Sequence, residues 1–301
     1  MKRIYWLLLL VLFLGWGSNY VAIKLAFAYS APLVLATLRT SLATIGMLPL
    51  AYHAYRSPSR KVVAPTNVKT LGVIAIFAIL FSVLFSGLWF IAEQTINPDT
   101  AAIVIYTSPF FIAFFAALFL SEPITRPKAI GIATGFAGVL LVLTKGNLFG
   151  VSDVIGLSLL LLASMSYAAS MIVYKRYLAD YNYYLLNLLQ LAVSSVILFV
   201  WAAFVDLPGF FSATLLNSEF IFVLLYLIAV GTIVTNMIWF VLLRERGPSW
   251  FAGWSFLTPV FAIIIAFVIL GITIAPIQFG GVALVVLGVY LANKESPIIG
   301  S

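Results

Sequence analysis

Cysteine is absent from the 301 residues, histidine occurs once, and only 8% of the chain is charged. Without cysteine there is no disulfide framework, thiolate nucleophile or cysteine metal site. A single histidine, His53, excludes histidine-cluster metal sites and most proton relays, and its place at a helix end reads as interfacial. A soluble globular domain carries about 25% charged residues, so this chain is not one. A phosphate-cradling GxxxxGKS/T loop is also missing, as is room for a nucleotide-binding domain, which excludes direct drive by ATP. No residues form a hydrolase triad, so the chain does not read as an enzyme. Repeated filter-like carbonyl segments are lacking too, which argues against a channel. No cofactor is implied.

What the chain has is apolar length. Hydrophobic residues make up 64%, and the mean hydropathy is +1.17. Runs of about 20 apolar residues cross a bilayer as helices, since the helix satisfies every backbone polar group internally. The pattern predicts an all-α integral membrane protein with ten helices, at about 4–28, 32–54, 69–93, 98–120, 127–144, 153–175, 182–205, 218–243, 248–270 and 275–293. Met1-Lys2-Arg3 before an apolar run could open a signal peptide. The run continues to Phe27 without a small-residue cleavage site, so a retained first helix is expected.

The net charge of +7 does not point to nucleic acid, because the bases sit in short loops. With the N-terminus inside, the inner loops hold Lys2, Arg3, Arg56, Arg60, Lys61, Lys69, Arg126, Lys128, Lys175, Arg176, Arg244, Arg246 and Lys294. That is 13 of the 16 Lys and Arg, against Lys145 alone outside and Lys24 and Arg39 within helices. This bias predicts a multi-pass protein of the inner (plasma) membrane with both termini cytoplasmic.

The chain is also written twice. WFIAEQTINPDTAAIVIYTSP from Trp89 aligns with WFVLLRERGPSWFAGWSFLTP from Trp239. Trp89 falls on Trp239, Pro98 on Pro248, Pro109 on Pro259, Gly131 on Gly281 and Gly138 on Gly288, each 150 residues apart. Upstream the offset is 151: Lys24 meets Lys175, and Arg39 meets Gln190. Repeats of 1–146 and 147–301, five helices each, must enter the membrane from opposite sides because five is odd. Secondary transporters use such inverted repeats, with the substrate site where the halves meet near the midplane.

Polar groups inside hydrocarbon must face protein or water, so their helical phase is informative. Trp16, Asn19, Tyr20 and Lys24 share a face of the first helix; Ser82, Ser86, Trp89 and Glu93 share one on the third. The eighth repeats the latter as Thr232, Asn236 and Trp239. Tyr106 on the fourth helix, Tyr167, Ser170 and Tyr174 on the sixth, Asn187 and Gln190 on the seventh, and Trp254 and Thr258 on the ninth suit the same cavity. Packing between helices would use the same Ser, Thr and Asn residues; the grouping of Asn19, Trp89, Asn236 and Trp239 favours a cavity. Lys24 could snorkel outward. Arg39, about 10 Å into its helix, needs a partner. Glu93 is one, and a substrate carboxylate matching the planar guanidinium is the other. Glu122, before Pro123, reads either as a clasp to Arg126 or Lys128 or as a site of proton coupling. Pro109 and Pro259 are expected to kink the fourth and ninth helices and shape the cavity. Gly131, Gly135, Gly138, Gly280, Gly281 and Gly288 suit close packing within the chain or in a homodimer.

The segments WGSNYVAIK, Leu38-Arg39, TSPFFIAFFAALFLSEPIT and GIATGFAGVLLVL, with LTPVFAIIIAFVILG and GGVALVVLGVYL in the second copy, resemble the drug/metabolite transporter superfamily. Within it they resemble the ten-helix branch with two EamA domains. The resemblance covers almost the whole chain. It implies an inner-membrane carrier working by alternating access, often exporting amino acids, related metabolites or toxic compounds. It also implies a cavity lined mainly by helices 1 to 4 and 6 to 9. Two departures stand out: the acid at Glu122 has Ile272 as its counterpart, and the first helix carries Trp16 where related four-helix carriers have a glutamate. The expectation is therefore an exporter of small amphipathic metabolites such as amino acids, with proton or ion coupling open and either a monomer or a homodimer. The alternatives are an organic-anion or phosphate-ester exchanger dependent on Lys24, Arg39 or Lys175, and a membrane protein that does not transport.

Overall fold

The computed structural model describes residues 3–56, 67–92, 95, 98–144, 154–271 and 273–294. Among these residues every regular element is helical. Ten helices are long and apolar enough to cross a membrane: α1 (Ile4–Ala26), α2 (Pro32–Arg56), α3 (Val68–Ala92), α4 (Ala101–Leu120), α5 (Arg126–Leu143), α6 (Val154–Leu178), α7 (Tyr183–Asp206), α8 (Ser218–Arg246), α9 (Pro248–Ile269) and α10 (Pro276–Asn293).

Their ends carry the expected chemistry. Asn67, Asn182 and Asn217 accept from free N–H groups in the first turns of α3, α7 and α8. Pro248 and Pro276 open α9 and α10, where a missing N–H costs nothing. The last turns of α4 and α9 both close on a left-handed residue. Gly271 adopts it freely at φ 65°, whereas Ser121, its counterpart 150 residues earlier, adopts it at φ 56° with a side chain in place.

The duplication is visible in the contacts. α1 lies beside α9, with Trp6 against Trp254 and Gly17 against Phe261; α6 lies beside α4, with Ser164 against Thr107 and Arg176 donating to the Phe119 carbonyl. α1 also meets α8 through Ser18 and Tyr226, as α6 meets α3 through Tyr167 and Phe81. α2 meets its own counterpart α7 at Thr44 and Ser195, and α5 meets α10 along their glycines. Tyr5 pairs with Glu245 and Tyr29 with Glu219, so α1 and α8 run antiparallel. The end holding Tyr5, Glu245 and Asn293 is called the terminal end below, and the end holding Tyr29 and Glu219 the far end. At the far end the Glu219 acceptor holds the Tyr29 hydroxyl above its ordinary pKa.

Three features differ from the sequence expectation. α4 and α9 are not single kinked helices. The first consists of Pro98–Ile105 and Ser108–Leu120, the second of Pro248–Ser255 and Leu257–Leu270. Pro109 and Pro259 stand in the first turn of the later segment, so each break falls just before its proline, where a proline is tolerated. Next, α3 and α8 widen into π-helical turns at Ile79–Leu84 and Ala229–Val234, again 150 residues apart. The Leu227 carbonyl accepts from the Thr232 hydroxyl, and the Ala78 carbonyl from Ser194. A π turn inserts one residue and shifts the helical phase beyond it, but helices apolar on nearly every side show little phase for periodicity to read. Finally, Gly280 faces outward with nothing within 4 Å, while Gly131, Gly138, Gly281 and Gly288 sit in backbone-to-backbone contact.

Candidate functional site

Eight helices enclose a pocket of about 970 Å³, counting the part that opens to the outside. α5 and α10 contribute nothing to it. α1 supplies Trp16, Asn19, Tyr20 and Ile23; α2 supplies Arg39 and Thr40; α3 supplies Phe81, Ser82, Phe85, Ser86, Trp89 and Phe90. The broken helix α4 adds Ile105, Tyr106 and Ser108 around its gap, and α9 adds Ser255 and Thr258 around the matching gap. Tyr167, Leu191, Gly231, Thr232 and Asn236 complete the wall from α6, α7 and α8. These π turns of α3 and α8 both line the pocket, the first with Phe81 and Ser82 and the second with Gly231 and Thr232.

Of the residues singled out from sequence, Trp16, Asn19, Tyr20, Arg39, Ser82, Ser86, Trp89, Tyr106, Tyr167, Thr232, Asn236 and Thr258 stand on this wall. Among the described ones seven do not, two of them Tyr174 and Asn187, which are fully buried behind it. Lys24 is exposed, because its side chain leaves α1 on the outward face near the far end. Ser170 is fully buried and donates to the Tyr167 carbonyl of its own turn, at 2.6 Å. Gln190 is fully buried one layer behind the wall, accepting from Ser82 at 3.0 Å. Trp239 is fully buried beneath Phe81, and Trp254 packs edge-on against Trp6 toward the terminal end. Phe81, Phe85 and Phe90 were not anticipated. An apolar ring facing a pocket carries the same sequence signal as one facing lipid.

Arg39 is the one charged side chain on the wall among the described residues. Its Nε is shielded from solvent and has no hydrogen-bond partner, and its Cζ lies 5.9 Å from the centre of the Phe90 ring. Glu93, the acid expected beside it, lies outside the described residues. A guanidinium held this way is costly unless an anion reaches it.

Neutral polar groups fill the rest. Tyr20 and Tyr106 share a hydrogen bond of 3.2 Å between their hydroxyls. Behind the wall Asn187 Oδ1 accepts from Asn236 at 3.2 Å and from Gln190 at 3.0 Å, and Gln190 in turn accepts from Ser82. This amide chain runs from α8 through α7 to α3 and links two helices that each carry a π turn. Asn19 donates to the Gly231 carbonyl at 3.0 Å, leaving its buried Oδ1 without a partner.

Glycine at 231 makes that approach possible. A Cβ there would stand 2.0 Å from Asn19 Oδ1. Gly231→Ala is expected to turn Asn19 away, break the bond and cost about 1–3 kcal/mol, read as a lower melting temperature in detergent. An unchanged melting temperature would mean that Asn19 moves without loss.

Toward the terminal end the pocket is sealed. Phe81 and Trp239 have ring centres 4.8 Å apart, and Phe85 and Tyr167 4.9 Å. Below them Phe77, Tyr174 and Phe240 are fully buried. The Tyr5–Glu245 contact and Arg246, which lies over Tyr5 at 4.5 Å and Trp250 at 5.7 Å, tie α1, α8 and α9 beneath that layer. Nearby, Lys175 donates to the Arg244 carbonyl at 2.6 Å. Lys128 donates to the Pro123 carbonyl at 3.1 Å rather than to Glu122. Among the described residues no group of His, Asp or Glu could hold a metal ion.

With this geometry in view, comparisons with known proteins agree across the full length. The sequence profile of the EamA-like transporter family matches residues 3–144 and again 154–294. The transporter YvbV of Bacillus subtilis is 28% identical, covering 96% of this chain and 92% of its own. A probable amino-acid metabolite efflux pump of Salmonella typhimurium is 30% identical, covering 94% and 93%. The inner membrane transporter YedA of Escherichia coli K12 is 25% identical, covering 95% and 89%. One solved chain, described as "Crystal structure of protein", superposes with a TM-score of 0.82 over all of both chains at 15% identity, a likeness of fold alone.

Proposed function

The chain belongs to the EamA-like transporter family, and from that premise we propose a secondary carrier that exports small amphipathic metabolites, amino-acid metabolites among them, by alternating access. The observation that carries this reading is the pocket itself. It lies where the two repeats meet, is sealed toward the terminal end, and holds Arg39, whose buried Nε has no hydrogen-bond partner among the described residues. Aromatic faces suit an apolar tail, the amides and hydroxyls suit polar substituents, and Arg39 suits a carboxylate. The Salmonella relative's name favours the same substrate class. The two halves, 1–146 and 147–301, act as the moving units in this reading. The described bases Arg56, Lys69, Arg126, Lys128, Lys175, Arg176, Arg244, Arg246 and Lys294 gather at the terminal end, which we place in the cytoplasm of a cell with an inner membrane.

The phosphate-ester alternative would need several cations around one site. Lys24 is exposed and Lys175 is engaged by the Arg244 carbonyl at the terminal end. Their dispersal speaks against it.

Proteoliposomes loaded with labelled amino acids and their N-acyl derivatives, with and without a pH gradient, test the proposal. Saturable flux of at least one compound is expected, falling at least tenfold in Arg39→Gln. No saturable flux of any compound under any gradient would sink the carrier reading. Full flux in Arg39→Gln would remove Arg39 from the site.

A further inference from the structure

We infer that the pocket selects monoanionic carboxylates whose amine is absent or acylated, over zwitterionic amino acids and over amines; this rests on the carrier reading above. The argument is one of charge matching. Among the described residues Arg39 is the one charged residue on the wall, and none of the described lining residues is acidic. The guanidinium is shielded at Nε, has no hydrogen-bond partner there among the described residues, and its Cζ lies 5.9 Å from the centre of the Phe90 ring. In a site of low dielectric an uncompensated cation attracts an anion strongly and repels a second cation equally. A monoanion brings the pocket to neutrality. A zwitterion leaves the original positive charge uncompensated, because its ammonium sits within a few ångströms of the guanidinium with no acid among the described lining residues to receive it. A phosphate monoester at its second ionisation overshoots to net negative.

The remaining wall supports the same choice. Tyr20, Phe85, Trp89 and Tyr106 are neutral, and the Tyr20 and Tyr106 hydroxyls already bond one another. Aromatic faces attract ammonium groups modestly. The Phe90 face, which lies closest to the carboxylate position, is already occupied by Arg39. Acylation turns the ammonium into an amide N–H and C=O, which suit the hydroxyls of Ser82, Ser86 and Thr232 on the wall. The structure therefore assigns Arg39 as the specificity determinant, reading a planar carboxylate with its fork.

Binding to the purified full-length protein, followed by tryptophan fluorescence because Trp16 and Trp89 line the pocket, tests this directly. The probes are 3-phenylpropionate, N-acetylphenylalanine, phenylalanine, phenethylamine and 3-phenylpropyl phosphate. The first two are expected to bind at least tenfold more tightly than phenylalanine, with no binding of phenethylamine. Arg39→Gln should erase the difference and Arg39→Lys should retain part of it, each variant checked by thermal unfolding. Phenylalanine or the phosphate ester binding as tightly as N-acetylphenylalanine would overturn the inference. So would a preference for phenylalanine that vanishes in Glu93→Gln, since it would name an acid that serves the ammonium. Absence of binding by all five probes, in protein that still carries other metabolites across proteoliposomes, would overturn the inference and leave the carrier reading standing.

Discussion

Replacing Gly288 with leucine is expected to prevent the bundle from assembling, whereas Gly280→Ala, two turns earlier on α10, is expected to leave it intact. A Cβ on Gly288 would stand 2.3 Å from the Gly135 nitrogen and 2.5 Å from its Cα. One on Gly131 would stand 2.2 Å from the Ala292 nitrogen, and one on Gly138 2.6 Å from the Gly281 carbonyl oxygen. These neighbours are backbone atoms, so no rotamer change can relieve the clash. The helices must separate, and the close contact that holds α5 to α10 in lipid goes with them. Overpacking a tight interior costs about 1–3 kcal/mol and sometimes more; backbone meeting backbone belongs at the upper end. Gly280 meets nothing within 4 Å, so alanine there brings only its helix propensity, worth up to about 1 kcal/mol. Expression and size-exclusion profiles in detergent distinguish the two. A monodisperse, wild-type-like Gly288→Leu would show that α5 and α10 can move apart freely. Because neither helix lines the pocket, a milder variant such as Gly281→Ala, whose Cβ would stand 2.8 Å from the Gly138 carbonyl oxygen, should lower the melting temperature without changing ligand affinity.

Gly280 and Gly281 also show where sequence reading stops. The repeat placed glycines on α5 and α10 and implied close packing, and Gly281 does touch the Gly138 carbonyl. Adjacent residues on a helix differ by about 100° in direction, so one can touch a partner while the next faces out. Nothing in the sequence says which. Helix number and the duplication were legible because each is a long-range pattern, of hydropathy in one case and of register in the other. The stripe from Trp16 to Tyr20, and that from Ser82 to Trp89, were legible because polar side chains in hydrocarbon must face inward. Depth was not. Ser170 and Gln190 lie on inward faces but are used within their own layer, by the Tyr167 carbonyl and by Ser82. Lys24 stands about one turn beyond Tyr20 toward the far end, where its side chain turns outward and is exposed. The breaks before Pro109 and Pro259 were half legible, since proline marks a disturbance without saying on which side the helix ends.

The register also paired Trp89 with Trp239 as equals, and the structure separates them. Trp239 is fully buried, with ring centres of Phe81, Phe240, Tyr174 and Phe77 at 4.8, 5.1, 5.6 and 6.2 Å, and its Nε1 donates to the Tyr167 hydroxyl at 3.1 Å. Trp89 lines the pocket beside Tyr20 and Phe85, at 5.4 and 5.6 Å. Trp239→Ala is therefore expected to cost about 3–5 kcal/mol through the cavity it leaves, and about 1 kcal/mol more through the unpaired Tyr167 hydroxyl. Trp239→Phe keeps a ring in place and should lose only a fraction of that. Trp89→Ala should lose much less stability and weaken binding of an aromatic carboxylate about tenfold, as the loss of one stacked ring implies. Thermal unfolding and ligand titration on the three variants separate these effects, and a Trp239→Ala protein as stable as Trp89→Ala would show that the terminal seal is not held by this ring. The difference arises because inverted repeats place one tryptophan toward each end of the membrane. The pocket lies on the far-end side and the aromatic layer closes the other, so the same residue serves as wall in one half and as seal in the other.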